Sequence, residues 1–171
     1  LALIIPALVR ALKDFPDFNS SLAADGKSLI QKQYWHIGIA VDTEAGLVVP
    51  VIKNADQKGV MALAQELADL SSRARARKLK PDELQGASMT ISSLGGIGGT
   101  GFTPIVNSPQ VAILGISRSA MKPVWDGSAF QPRLMLPLSI SYDHRVIDGA
   151  AAARFGQHLA LLLGDLRLTL F

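Results

Sequence analysis

Apolar residues fall at helical spacing in three stretches of the chain and at strand spacing through most of the rest. Leu1 to Lys13 reads as a helix that stops at Pro16, because the residue before a proline, Phe15, is pushed to extended backbone. Val60, Leu63, Leu67 and Leu70 form one stripe of a longer helix, with Asp56 as its predicted cap and Lys78 near its end. A third helix opens at Ala150, after a break at Gly149, and places Phe155, Leu159, Leu162 and Leu166 together. Asp17 to Ser21 is a polar turn cluster, and Asp25-Gly26 is a hairpin turn. Ser28 to Lys32 and Tyr34 to Asp42 read as strands, and after the turn at Glu44-Ala45-Gly46 the stretch Leu47 to Ile52 folds back as a hairpin partner. Pro81 to Leu84 makes a short further turn. Ala87 to Leu94 and Val111 to Ser117 read as buried strands joined by a glycine-rich loop, and Leu134 to Tyr142 as a half-buried strand. Hairpins mixed with a few helices predict an α/β (α+β) sandwich, not a regular βαβ succession.

Composition changes this picture in one respect. The 171 residues suit one domain, and no repeat or linker divides them. Hydrophobic content of 49% with 18% charge, and a mean hydropathy of +0.28, is apolar for a monomer, so some apolar surface is expected to be covered by another subunit. No apolar run is long enough to span a membrane. The opening Leu1-Ala2-Leu3-Ile4-Ile5-Pro6 lacks a basic leader and a cleavage site, and reads as a helix cut at its start, within a domain. The absence of cysteine removes disulfides, thiolate nucleophiles and cysteine metal sites, and fits a reducing compartment. The net charge of +3 is mild. The basic cluster Arg73, Arg75, Arg77, Lys78 and Lys80 has no aromatic interleaving, which argues against nucleic acid. It suits a helix C-terminus, where cations complement the dipole.

Gly96-Ile97-Gly98-Gly99-Thr100-Gly101 matches a dinucleotide-binding pattern in letters alone, because that pattern needs a helix to open behind it. Phe102-Thr103-Pro104 and Asn107-Ser108-Pro109 follow instead, so nicotinamide binding is rejected and the glycines serve tight turns or close backbone approach. The other candidate is Asp143-His144-Arg145-Val146-Ile147-Asp148-Gly149, where an extended chain hands over to a helix. A histidine on such a rigid end can act as a base near neutral pH. Asp148 reads as a cap of the last helix, an orienting group for a neighbouring loop, or a partner of Arg145. His36 and His158 lie on other segments, so metal binding is not expected. Ser92 and Ser93 end the Ala87 to Leu94 strand beside the glycine loop, and for Ser93 strand-end polarity is the preferred reading.

Thr90-Ile91-Ser92-Ser93-Leu94-Gly95, Pro104-Ile105-Val106-Asn107, Val111-Ala112-Ile113-Leu114-Gly115 and Asp143 to Gly149, in that order, resemble the catalytic domain of dihydrolipoyl acyltransferases. These are core components of 2-oxo acid dehydrogenase complexes. Pro123 to Gly127, Pro132 to Pro137, Asp17 to Leu22 and His36 to Ile52 extend the likeness over the whole chain, and point to the acetyl-transferring branch of bacterial pyruvate complexes. The resemblance implies a chloramphenicol acetyltransferase-like fold, a two-layer sandwich of helices on a mixed, largely antiparallel sheet, assembled as homotrimers. It implies His144 as general base, Ser92 as oxyanion donor and Asp148 as organiser of the histidine loop. More loosely, it places Asp42 and Phe102 near the lipoyl and coenzyme A channel. The site would lie between subunits, histidine from one and serine from its neighbour.

The implied substrates are coenzyme A and a lipoyl group carried on a domain outside this chain. The implied partners are that lipoyl domain and the pyruvate decarboxylase and dihydrolipoyl dehydrogenase components, in the cytoplasm. Residues 1–171 would then be an acyltransferase catalytic domain without its N-terminal part and with no lipoyl or subunit-binding domain. The apolar ending Leu166 to Phe171 is implied to dock trimers into a large shell, a cubic 24-mer in the bacterial pyruvate branch. Succinyl or branched-chain transfer, and a structural core without chemistry, are the alternatives.

Overall fold

A computed structural model describes residues 1–169; Leu170 and Phe171, the last two of the six residues of the proposed docking tail, lie outside the described residues. Three helices form, α1 (Ile4–Asp14), α2 (Val60–Arg75) and α3 (Gly149–Gly164). The first strands are β1 (Ser20–Leu22), β2 (Leu29–Gln31), β3 (Ile37–Ile39), β4 (Val41–Thr43), β5 (Gly46–Val48) and β6 (Val51–Ile52). After α2 come β7 (Met89–Ser93), β8 (Ala112–Ile116), β9 (Ala120–Trp125), β10 (Phe130–Met135) and β11 (Leu138–Tyr142). The central sheet has the order β11-β8-β7-β3-β6. In it β7 runs parallel to both neighbours, while β11 on β8 and β6 on β3 are antiparallel. The pairs β1–β2, β4–β5 and β9–β10 are separate antiparallel hairpins, so the sandwich of helices on a mixed sheet is the one expected.

One face of the sheet carries the core. Met89, Ile91, Ala112, Leu114 and Ile116 point from β7 and β8 into a cluster with Ile5, Leu8 and Leu12 of α1 and Phe155, Leu159 and Leu162 of α3. Phe18, in a short 3-10 turn at Pro16–Asn19, stacks on Phe155 with ring centroids 4.1 Å apart. Burying a side chain of this size contributes about 1.5–3 kcal/mol, and these residues fix α1 and α3 on the sheet.

Several boundaries differ from the sequence reading. Asp56 does not cap α2. Asn54, in left-handed backbone at φ 50°, turns the chain into a short 3-10 turn at Ala55–Gln57, and the helix starts afresh behind Gly59. The helix stops at Arg75, three residues before Lys78. Arg77 takes φ 56° and the Lys78 amide reaches back to the Arg73 carbonyl, a closure that ends a helix. Leu166 lies beyond the end of α3 and is exposed, so the buried stripe is Phe155, Leu159 and Leu162. Gly149 is the first residue of α3, not a break. Leu134 to Tyr142 is two strands with Leu136 and Pro137 between them, because proline cannot donate to a ladder. Its first half pairs with β9 in a hairpin the periodicity did not reveal, since Pro123 and Pro132 sit opposite each other within it. That hairpin stands apart from the core. Met121, Trp125, Phe130 and Leu134 are each more than half exposed, and Trp125 and Phe130 pack edge to face.

Candidate active site

Ser92 occupies the sheet face that the helices leave uncovered. Thr90 lies on that face, since a Cβ placed on Gly38 across the ladder would stand 2.7 Å from the Thr90 hydroxyl. Ser92 is two residues on and points the same way. It is half-buried, and its cross-strand partner is Gly115. Glycine makes room there, since a Cβ would meet the Phe102 ring at 3.0 Å and Pro104 at 3.1 Å and would press both back. Phe102 is therefore folded over Gly115 beside Ser92, held by the loop of residues 95–110. No helix opens in that loop, and Gly98 and Gly99 take positive φ, in keeping with turns and not with nucleotide binding. Below Ser92, the Thr90 hydroxyl donates to the buried Gln110 side-chain carbonyl at 2.7 Å and fixes the end of this loop.

Asp42 is exposed at the same end of the sheet but reaches a different space. It lines a cavity of about 400 Å³ with Ser71, Arg75, Ser93 and Ile97, which Ser92 does not line. Asp42 and Phe102 therefore flank the serine strand from opposite sides.

His144 is elsewhere. It is exposed in the connection from β11 to α3, with its ring 5.7 Å from that of Tyr142. The connection is pinned at several points. The Asp143 amide donates to Val111 at 2.8 Å, and the Val146 and Ile147 amides both donate to the Asp143 carbonyl at 3.0 Å. Asp148 caps α3, accepting from the Ala151 amide at 2.7 Å. It does not bind Arg145. That guanidinium forks onto Asp143 at 2.9 and 2.6 Å, and its hydrogen bonds hold the Asp143 carboxyl down at about 2. The Arg145–Asp143 clamp was not foreseen, although the charges flanking His144 in Asp-His-Arg were its signal.

Ser92 and His144 do not meet within one chain. Ser92 is level with Gly115 and hence with Ser139, whereas Tyr142 is level with Ala112. Three residues of strand and two strand spacings put the Ser92 and Tyr142 Cα atoms on the order of 14 Å apart, and His144 lies further out. Proton transfer needs donor and acceptor about 3 Å apart. The other histidines are also separate. His36 accepts from the Asn54 amide and is pushed down by burial, and His158 lies 2.9 Å from Asp14. Among the described residues no three His, Cys, Asp or Glu side chains gather as a metal site, and no helix is long and apolar enough to cross a membrane.

A helix-covered mixed sheet with a serine at one strand end and a histidine beyond another defines a class of fold. The chain matches solved chloramphenicol acetyltransferase over 95% of its length with a TM-score of 0.63 at 16% identity, a likeness of fold alone. The particular family is closer. The family of 2-oxoacid dehydrogenase acyltransferases (catalytic domain) matches residues 1–171, and the chain belongs to it. It is 64% identical over 170 residues, 99% of its length, to the dihydrolipoyllysine-residue acetyltransferase component of the pyruvate dehydrogenase complex of Pseudomonas aeruginosa, and equally identical to that of Azotobacter vinelandii. The chain spans 31% and 27% of the length of those relatives. One solved structure of the Azotobacter vinelandii dihydrolipoamide acetyltransferase, from work on a serine, a histidine and an asparagine in its catalytic mechanism, matches with a TM-score of 0.99 at 62% identity, over the whole chain and 70% of its own. A solved cubic core of the pyruvate dehydrogenase multienzyme complex matches equally, with a TM-score of 0.99 at 63% identity and the same coverage.

Proposed function

We propose that the chain transfers an acetyl group between S-acetyldihydrolipoamide and coenzyme A. The observation that carries the reading is the placement of Ser92 and His144 at opposite ends of one sheet in a member of an acyltransferase family. A chain that holds each half of a site but not the whole is built to complete it with a second copy. His144 of one protomer then faces Ser92 of its neighbour. Ser92, His144 and Asp148 also repeat the spacing of the serine, histidine and asparagine studied in the Azotobacter vinelandii enzyme, with an aspartate at the third position here.

The chemistry follows from the groups. A thiol with a pKa of about 8.5 is mostly protonated at neutral pH. The His144 imidazole takes that proton as sulfur attacks the thioester carbonyl, worth about 100- to 10,000-fold. The carbonyl π electrons move to oxygen, and the Ser92 hydroxyl donates to this oxyanion, worth on the order of 3 kcal/mol in a dry site. Collapse expels the second sulfur, which recovers the proton from the imidazolium. Ser92 is a donor and never carries the acetyl group. Asp148 acts through the backbone: by capping α3 it fixes the loop that presents His144. Phe102 lines the approach to Ser92 and Asp42 the separate cavity at the same end of the sheet, the lipoyl group arriving on another domain and coenzyme A as free substrate.

The assembly proposed with this reaction is a homotrimer, docked by its C-terminal tail into a cubic 24-mer in the cytoplasm that binds the decarboxylase and dihydrolipoyl dehydrogenase components. The exposed apolar β9–β10 hairpin supports it, since so large an apolar arm calls for cover by another protomer. The test is acyl transfer to coenzyme A by the assembled protein, with acetyl and succinyl donors compared. Acetyl transfer at least tenfold faster is expected; faster succinyl transfer, or none of either, overturns the reading.

A further inference from the structure

Thr90 and Gln110 are both buried, and the hydrogen bond between their side chains spans twenty residues of chain. The Thr90 hydroxyl has little freedom to turn elsewhere, because the Gly38 backbone crosses so close that a Cβ there would stand 2.7 Å from it. Gln110 is tied in turn, its amide donating to the Asn107 carbonyl at 3.0 Å. The next residue, Val111, offers the carbonyl that accepts the Asp143 amide at 2.8 Å, and Asp143 directly precedes His144. Both Gln110 and Val111 lie just ahead of β8, which starts at Ala112, so this run of bonds is outside the ladder that joins the strands. It leads from Thr90 to Gln110 by side chains, on to Val111 along the chain, and then to Asp143 by backbone. At one end, two residues on, is Ser92; at the other is His144.

We propose that the Thr90–Gln110 pair is a positioning joint, which sets the His144 connection relative to the Ser92 strand so that one chain presents its two half-sites at a fixed separation. This rests on the acyl-transfer reading and on the division of each site between protomers. In a closed ring of identical protomers every interface repeats, so an altered separation recurs at each one and no shift of a single protomer absorbs it. Thr90 acts through Gln110 and is a positioning residue, since its buried hydroxyl is committed to the Gln110 carbonyl. A hydrogen bond that served the fold alone would change stability and leave the rate of the folded protein as it was.

Steady-state acetyl transfer and thermal unfolding are measured on the assembled protein with Thr90→Ser, with Thr90→Val, and with Thr90→Val and Gln110→Met together. Thr90→Ser keeps the donor and should keep kcat. Thr90→Val keeps the shape but leaves the Gln110 carbonyl buried without its donor, and should unfold at a lower temperature. Its kcat should fall about tenfold or more, as a small misplacement of reacting groups does, with KM unchanged for both substrates. The double variant leaves neither partner stranded, so it should regain most of the lost stability while its kcat stays low. An unchanged kcat in Thr90→Val, or kcat restored together with stability in the double variant, overturns the joint and leaves the pair a contribution to the fold. An equal loss in Thr90→Ser, or a raised KM with kcat intact, overturns it as well. Should Thr90→Val fail to assemble, the kcat of the double variant decides alone. An unsubstituted protein that transfers no acetyl group strikes the acyl-transfer reading itself.

Discussion

Two inactive variants should restore each other if the site is divided between protomers. His144→Ala removes a base worth about 100- to 10,000-fold and Ser92→Ala an oxyanion donor worth about 100- to 1,000-fold, so each alone is nearly silent. Neither residue can serve the other in its own chain, because Ser92 and Tyr142 stand on the order of 14 Å apart with His144 beyond. In the homotrimer proposed above, each site would draw a histidine from one chain and a serine from the next. When the two variants assemble at random in equal amounts, a site is intact only if the Ser92→Ala chain gives the histidine and the His144→Ala chain gives the serine. That is roughly one site in four, so co-expressed variants recover roughly a quarter of the unsubstituted rate. The assay is acetyl transfer to coenzyme A by purified mixed assemblies, with the variants assembled separately and blended afterwards as the control. Recovery no greater than in that control would show that a single chain holds the whole site, and would refute the division.

Three further outcomes follow. In Gly115→Ala the new methyl would meet Phe102 at 3.0 Å and Pro104 at 3.1 Å, so both must give by a few tenths of an ångström beside Ser92; we expect a loss of about 1–3 kcal/mol in thermal unfolding and a raised KM for one substrate, and an unchanged KM would dissociate Phe102 from binding. Asp143 is held at about 2 by Arg145, below its ordinary value near 3.9, so its clamp contributes above that ordinary value and is lost as pH falls through about 2. The Arg145 Nε–H resonance should therefore stay fixed from pH 7 to about 4.5, and a midpoint near neutral pH would refute the pairing. Deleting Leu170 and Phe171 should leave trimers and dissolve the shell, as read by light scattering; an unchanged particle size contradicts the docking role.

What the sequence made legible depended on how local the cause was. The stripe Phe155, Leu159 and Leu162 and the buried strands β7 and β8 were readable because periodicity and burial coincide there. Asp148 was readable as a cap because its bond spans three residues. The start of α2 was not, since it turns on Asn54 adopting left-handed backbone, where its amide donates to the His36 ring from eighteen residues away. The β9–β10 hairpin was hidden because both strands are exposed, which leaves no alternation of inside and outside to read. Ser92, His144 and Asp148 stood out as a set through the family resemblance, but their separation could be seen only once the register of β7, β8 and β11 was known.

The same register explains the composition. A chain of this length could bury its apolar residues in one core, yet Met121, Trp125, Phe130 and Leu134 are left in solvent on a hairpin with no core beneath it. The face of the sheet that bears Ser92 is likewise uncovered by helices, and Gly38 and Gly115 on it are packed against Val49, Thr90, Phe102 and Pro104 of the same chain. An exposed apolar arm and an uncovered reactive face on one chain are complementary needs, and in the proposed assembly a second copy would meet both. Water would then leave the serine face when the histidine arrives, so the step that completes the constellation also supplies the dry surroundings in which an oxyanion donor is effective. Under the proposed reading assembly and chemistry are one requirement, and a variant that weakens the proposed trimer should lose turnover before it loses fold.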